Sequence, residues 1–146
     1  MAERSPANRR VARIASLLWV PNALLWALMA VIVGWFLGDL LATWLVLALG
    51  VCLIALWLAI RLFRRPVGRR VWLVSLVAAL IVTVLDAYVA SEFVGDYNDV
   101  TRYGNDGLGE AEWAVVFGLA MLGSVVVAVL SAWSMRPDTG ISTPAG

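Results

Sequence analysis

Long apolar stretches without charge constrain this chain more than any other feature. Residues 14–38, 40–60 and 113–135 contain no charged side chain, and residues 71–91 contain one, Asp86. A helix needs about 20 apolar residues to cross the hydrocarbon core of a bilayer. Because backbone groups must pair within lipid, each stretch is expected to be helical. The sequence predicts an all-α membrane protein, a bundle of four transmembrane helices.

The connections between these spans differ in length. Only Asp39 separates the first two stretches, which as one helix would measure about 70 Å, far more than a single crossing needs. Glycine frees the backbone and aspartate caps helices, so Gly38 and Asp39 predict a short first outer turn. Residues 92–112 are polar and predict a longer, acidic second outer loop.

The arginines predict the orientation. All eleven basic residues are arginine, and the four-span arrangement places ten of them at one end. The positive-inside rule puts that end in the cytoplasm, so both termini are expected there. We divide the chain into a basic cytoplasmic amino terminus (1–13), a transmembrane domain (14–135) and a disordered cytoplasmic tail (136–146). Arginine without lysine, with much Ala, Val and Leu, suggests a bacterial inner-membrane protein.

Tryptophans are expected to mark the membrane interfaces, where an amphipathic ring is most stable. Four of them fall at the predicted cytoplasmic ends of spans: Trp19, Trp57, Trp72 and Trp133. Trp113 falls at the opposite interface, whereas Trp26 lies in the middle of the first span.

The composition argues against several kinds of chemistry. The chain has no histidine, the commonest metal and haem ligand and the commonest general base. Cys52 is the only cysteine, so one chain can form neither an internal disulfide nor a thiolate metal site. We therefore expect no cofactor, no metal site and no enzymatic activity.

Small residues at spacings of three and four follow one face of each span. In membranes such faces let helices approach closely. The positions singled out for packing are Gly34, Gly38, Ala79, Ser124 and Ala128. Two arrangements are open: the faces turn inward and build the bundle, or the face on the first helix turns outward to bind a partner helix.

Asp86 is the one charged residue inside a predicted span, and intramembrane carboxyl groups are functional candidates by default. Three interpretations are open. It lies about 22 Å along its helix, where the outer headgroups or Arg102 would satisfy it. Alternatively, it binds a proton or cation with help from Thr83, one turn away. Lastly, it forms a hydrogen bond between helices.

Pro21 and Asn22 interrupt the first span. Proline removes an amide donor and usually kinks a helix. The Asn22 side chain is expected to pair either with a freed carbonyl or with a neighbouring helix, and a gate or a contact to a partner subunit is the functional alternative.

The polar connections suggest binding surfaces. Five arginines between the second and third spans are expected to attract anionic lipid headgroups: Arg61, Arg64, Arg65, Arg69 and Arg70. This short loop offers no platform for nucleic acid. The acidic loop is either simply solvated, a cation site without EF-hand spacing, or a partner-docking loop that uses Asp96, Tyr97, Asp99, Arg102 and Tyr103.

These features favour a small non-enzymatic membrane protein that serves as an accessory or assembly subunit, with other membrane subunits or further copies of itself as partners. One alternative is a small homo-oligomeric transporter or ion conductor that uses Asp86. Another is a membrane sensor with an acidic outer loop.

Overall fold

Four helices make up the described part of the chain. The computed structural model describes residues 6–36, 42–64, 67–102 and 108–136. The helices are α1 (Pro6–Phe36), α2 (Ala42–Arg64), α3 (Arg69–Arg102) and α4 (Leu108–Ser134). Their segments Asn8–Ile32, Thr43–Arg64, Arg69–Asp96 and Ala111–Ser134 are long and apolar enough to cross a membrane. The prediction of an all-helical chain with four such helices is confirmed.

The helices extend beyond the predicted spans at their charged ends. α1 begins at Pro6, a position that suits proline because the first helical amide needs no partner. Arg61 and Arg64 belong to the last turn of α2, and α3 begins at Arg69. Arginine is a good helix former, so charge ends a transmembrane span without ending the helix. Arg65 lies outside the described residues, as does the predicted tail from 137 onward.

The acidic second loop is largely helical rather than irregular. α3 continues to Arg102, because polar residues up to that point do not stop a helix and the dense glycine–asparagine cluster begins only at Gly104. Asp96 is exposed on this extension. Three further docking candidates, the side chains of Tyr97, Asp99 and Arg102, lie outside the described residues, as does Tyr103.

The helices form two hairpins that dock against each other. α1 packs along α2, and α3 packs along α4; α1 also contacts α4, whereas the seam between α2 and α3 is the sparsest. α1 and α3 therefore lie diagonally, and in the described part of the chain they are joined across the centre by the side chains of Trp19 and Trp26. Large apolar side chains on all four helices are exposed, as expected of lipid-facing surfaces.

Small residues face the interior along much of the bundle. Ala79 and Ser124 are fully buried, and Ala128 is nearly so. On α1, Ala23 and Ala30 are buried, so this part of the stripe faces inward and not toward an outside partner. For Gly34 only its place in α1 is described, and Gly38 lies outside the described residues.

Enlarging Ala79 is expected to destabilise the bundle. The residue is 0% exposed, so an Ala79→Leu side chain must displace its neighbours, at a cost of about 1–3 kcal/mol. Unfolding by sodium dodecyl sulfate from mild-detergent micelles, followed by circular dichroism, measures the change. Val84→Leu on the lipid-facing side of the same helix is the control, since Val84 is 67% exposed. Equal stability of the two variants would contradict the packing described here.

Candidate functional site

Asp86 is buried at the interface between the two hairpins. Its side chain is 0% exposed. The Trp26 indole of α1 donates to Oδ1 at 3.0 Å, and the Ser124 hydroxyl of α4 approaches Oδ2 at 3.3 Å. Asp86 thus lies inside the bundle and hydrogen-bonds with two other helices, which is the third of the interpretations that the sequence left open.

Thr83 does not assist Asp86. Its hydroxyl donates to the Ala79 carbonyl in its own helix at 2.7 Å, so its single proton is already used. The donors that reach Asp86 instead come from Trp26 and Ser124, of which the sequence pattern had indicated Ser124 only as a packing residue. The signal available in the sequence was that each lies among small residues of a predicted inward face.

Asn22 joins the same network from α1. Its Nδ2 donates to Ser124 Oγ at 3.0 Å and lies 3.5 Å from the Ala120 carbonyl of α4. A carbonyl only accepts, which fixes the orientation of this amide. Its Oδ1 is buried and has no hydrogen-bond partner among the described residues. Of the two sequence alternatives, Asn22 takes the bond to a neighbouring helix, while α1 continues through Pro21.

Every donor to Asp86 is neutral. The groups that face it are the Trp26 indole and the Ser124 hydroxyl, and neither carries a positive charge. α1 after Arg13, α2 before Arg61 and α4 after Glu112 contain no Asp, Glu, Lys or Arg. On α3 the nearest charged neighbours in sequence are Arg70 and Glu92. Burying a carboxylate without a positively charged partner costs several kcal/mol. A carboxyl group at this position is therefore unfavourable if its role is only to pack helices together.

A second polar layer lies toward the arginine-rich end of the bundle. The Trp19 indole donates to Ser75 Oγ at 3.3 Å, across the same diagonal, and Ser131 donates to Ser75 at 3.1 Å. Ser16 donates to the Ala59 carbonyl at 2.6 Å and joins α1 to α2. Trp19 is 0% exposed, so it is a core residue rather than the interfacial anchor that its position in the sequence indicated.

Aromatic rings separate Asp86 from the acidic end of the bundle. Phe117 is fully buried and meets Trp26 edge-on, with ring centroids 6.0 Å apart. Phe93 stacks with both Phe117 and Trp113 at 6.0 and 6.2 Å. Trp26 also borders the seam between α2 and α3, where the contacts between helices are sparsest.

A cleft of about 230 Å³ lies in that seam. α1 supplies Trp26 and Met29, and α2 supplies Trp44 and Ala48. α3 supplies the other wall with Tyr88, Val89, Glu92 and Phe93. Trp44 and Tyr88 stack across the seam, with centroids 6.0 Å apart and planes 8° from parallel. Trp26 therefore borders the cleft, and its indole also donates to Asp86.

Charged side chains gather at the two ends of the described bundle. Arg64, Arg69 and Arg70 are exposed at one end, while Arg61 is partly buried there, and its Nη1 has no hydrogen-bond partner among the described residues. Glu92, Asp96 and Glu112 are exposed toward the other end. Within the described ranges, no three Asp, Glu or Cys side chains converge on a position where they could hold a metal ion.

Comparison of the chain with protein-family models, curated proteins and solved structures gave no match.

Proposed function

We propose that this chain is a small membrane transporter in which Asp86 binds and releases the coupling proton. The observation that supports it is a fully buried carboxyl group, surrounded by neutral donors, at the interface of two helical hairpins. In the proposed arrangement all four helices cross the bacterial inner membrane, both termini are cytoplasmic, and the exposed arginines contact anionic headgroups.

The hydrogen-bond network suits both protonation states of Asp86. When the carboxylate is ionised, Ser124 donates to Oδ2 while accepting from Asn22. When Oδ2 is protonated, it donates to Ser124, whose own proton turns to the Ala120 carbonyl 3.1 Å away. Trp26 donates to Oδ1 in both states. Rotation of the Ser124 hydroxyl therefore satisfies the hydrogen bonds of both protonation states within the same helix arrangement. A bond with a purely structural role would need to satisfy only one of these states.

The same network connects the two hairpins. Trp26–Asp86, Asn22–Ser124 and Trp19–Ser75 each join α1 to the α3–α4 hairpin. Loss or gain of one charge at this interface changes the free energy of docking one hairpin on the other. Rocking of packed helical units about a central site is a common route to alternating access. The buried carboxyl group therefore lies where its protonation acts on that motion.

Titration of the Trp26 indole tests proton binding directly. In wild-type protein reconstituted in lipid nanodiscs, the ¹⁵N–¹H indole signal of Trp26, identified by its absence in Trp26→Phe, should shift with pH as Asp86 changes charge. Asp86→Asn should make that signal independent of pH, whereas Glu112→Gln, which neutralises an exposed acid on α4, should leave the titration unchanged. A Trp26 signal that is constant with pH in the wild type would overturn the proposal.

The accessory-subunit and sensor hypotheses stay predictions. Each would place the main contacts at the acidic end, where several of the candidate docking side chains lie outside the described residues. Native mass determination in mild detergent separates them from the transporter proposal: stoichiometric foreign subunits favour the accessory role, and a monomer or homo-oligomer favours transport.

A further inference from the structure

We infer that the cleft between α2 and α3 binds a monovalent organic cation with an apolar body, and that Trp26 couples its binding to the ionisation of Asp86. The binding is independent of the function proposed above, while the coupling rests on the proton-binding role of Asp86.

The aromatic walls of the cleft favour a cation. Trp26, Trp44, Tyr88 and Phe93 border it, and the remaining wall is mostly aliphatic. The face of an aromatic ring carries negative partial charge and attracts cations, most strongly in tryptophan, by about 0.5–2 kcal/mol per contact. A ring face that stays open to the cleft beside these stacked pairs therefore favours a cation whose charge is spread over methyl or methylene groups, because such a cation is weakly hydrated.

The charge in the cleft has the matching sign. Glu92 contributes a carboxylate to the lining, one helical turn after Tyr88 and beside its hydroxyl. None of the described residues that line the cleft is basic. An anionic ligand would meet this carboxylate unfavourably, and a neutral ligand would gain at most one hydrogen bond from it. A volume of about 230 Å³ admits a compact ammonium ion with one ring or short alkyl arms.

Trp26 links the cleft to Asp86 because the same residue lines the cleft and donates to the carboxyl group. It borders the cleft from α1, and its Nε1 donates to Asp86 Oδ1 at 3.0 Å. Donation to an ionised carboxylate increases the electron density of the indole, which strengthens its attraction for a cation. The buried negative charge of Asp86 also attracts the cation directly, because charges are screened less in a protein interior than in bulk water.

Coupling between two sites is reciprocal, so the cation must also favour the ionised carboxylate. Binding of one cation then releases one proton from Asp86, and protonation of Asp86 releases the cation. Net charge is conserved in this exchange: the complex of ionised Asp86 with the cation has the same charge as protonated Asp86 alone. The cleft and the carboxyl group together would support a one-for-one exchange of proton and organic cation.

Benzyltrimethylammonium is a suitable probe, titrated into the wild-type protein in lipid nanodiscs at constant ionic strength. The indole signals of Trp26 and Trp44 should shift and saturate. Benzyl alcohol, which has the same ring without the charge, should produce no saturable shift. Glu92→Gln and Trp44→Ala should each weaken binding about tenfold, which corresponds to about 1.4 kcal/mol. Glu112→Gln, an exposed neutralisation elsewhere at the same end, should not change the affinity.

The outcomes separate the two proposals. No saturable shift with the cation, or equal affinity for benzyl alcohol, would overturn the cation site whatever happens at Asp86. In Asp86→Asn the cation should still bind, but more weakly, and without releasing a proton into lightly buffered solution. If the wild type binds the cation and releases no proton while its Trp26 signal still titrates, the site stands and the coupling is overturned. A pH-independent Trp26 signal instead overturns the role of Asp86 alone.

Discussion

Replacing Asp86 with asparagine should reduce proton flux to the level of liposomes without protein. Asparagine has nearly the same shape, and its carbonyl can still accept from Trp26 while its amide donates to Ser124, so the network at the hairpin interface is retained. What is lost is the ability to bind and release a proton. Decay of an imposed pH gradient in dye-loaded proteoliposomes, with valinomycin and potassium to balance charge, measures the flux with and without benzyltrimethylammonium.

Glu112→Gln is the matched control, because it removes a carboxylate that is exposed on α4 and should leave the flux unchanged. Size-exclusion elution and helical content establish that each variant is folded. Wild-type flux no greater than that of empty liposomes would remove transport as the function. Wild-type flux that persists in Asp86→Asn would place the proton elsewhere, with Glu92 beside the cleft as the next group to neutralise.

The existence of the four helices followed from the sequence, but several of their ends did not. Hydropathy reports where a helix lies in lipid, and the helix itself continues as long as its residues tolerate helical backbone. Arg61, Arg64 and Arg69 therefore extend α2 and α3 into the predicted basic loop, and α3 continues past Glu92 to Arg102. The residues that stop a helix, not those that stop a membrane span, set these boundaries.

The partners of Asp86 were beyond the reach of sequence reasoning. Trp26 and Ser124 lie 60 and 38 residues away along the chain. Which side chains meet depends on the rotation and relative height of three helices, and small-residue stripes fix each rotation only approximately. Thr83 looked like the natural donor because it is local, yet its hydroxyl donates to the Ala79 carbonyl one turn back in its own helix.

Tryptophan was the least predictable residue type. The same amphipathic ring suits the membrane interface and suits a core position with a hydrogen-bond acceptor. Trp57 and Trp133 are 51% and 56% exposed, whereas Trp19 and Trp72 are 0% and 1% exposed. For Trp19 the deciding feature is Ser75 on the diagonal helix, which accepts from the indole. That acceptor becomes apparent only once α1 and α3 are placed opposite each other.

Replacing Trp19 with alanine should therefore destabilise the bundle more than any other single tryptophan substitution outside the Asp86 network. Its indole lies buried between the hairpins, where the described residues of α1 and α3 have no close backbone contact. Truncation leaves a cavity and removes one of the two donors to Ser75, at a cost of about 3 kcal/mol or more. Unfolding by sodium dodecyl sulfate from mild-detergent micelles measures the difference from wild type.

Trp133→Ala is the matched control, since it removes an indole of the same size from a side chain that is 56% exposed. Lipid or detergent replaces the lost contacts there, so its cost should be below about 1 kcal/mol. Equal losses for the two variants would contradict a diagonal held by buried indoles. A loss in Trp19→Ala together with retained Trp26 titration would show that the two polar layers act separately: the Ser75 layer holds the hairpins together while the Asp86 layer carries the proton. If the Ser75 layer keeps the hairpins docked, a change of charge in the Asp86 layer can alter their relative position without separating them. The proposed transport cycle requires this.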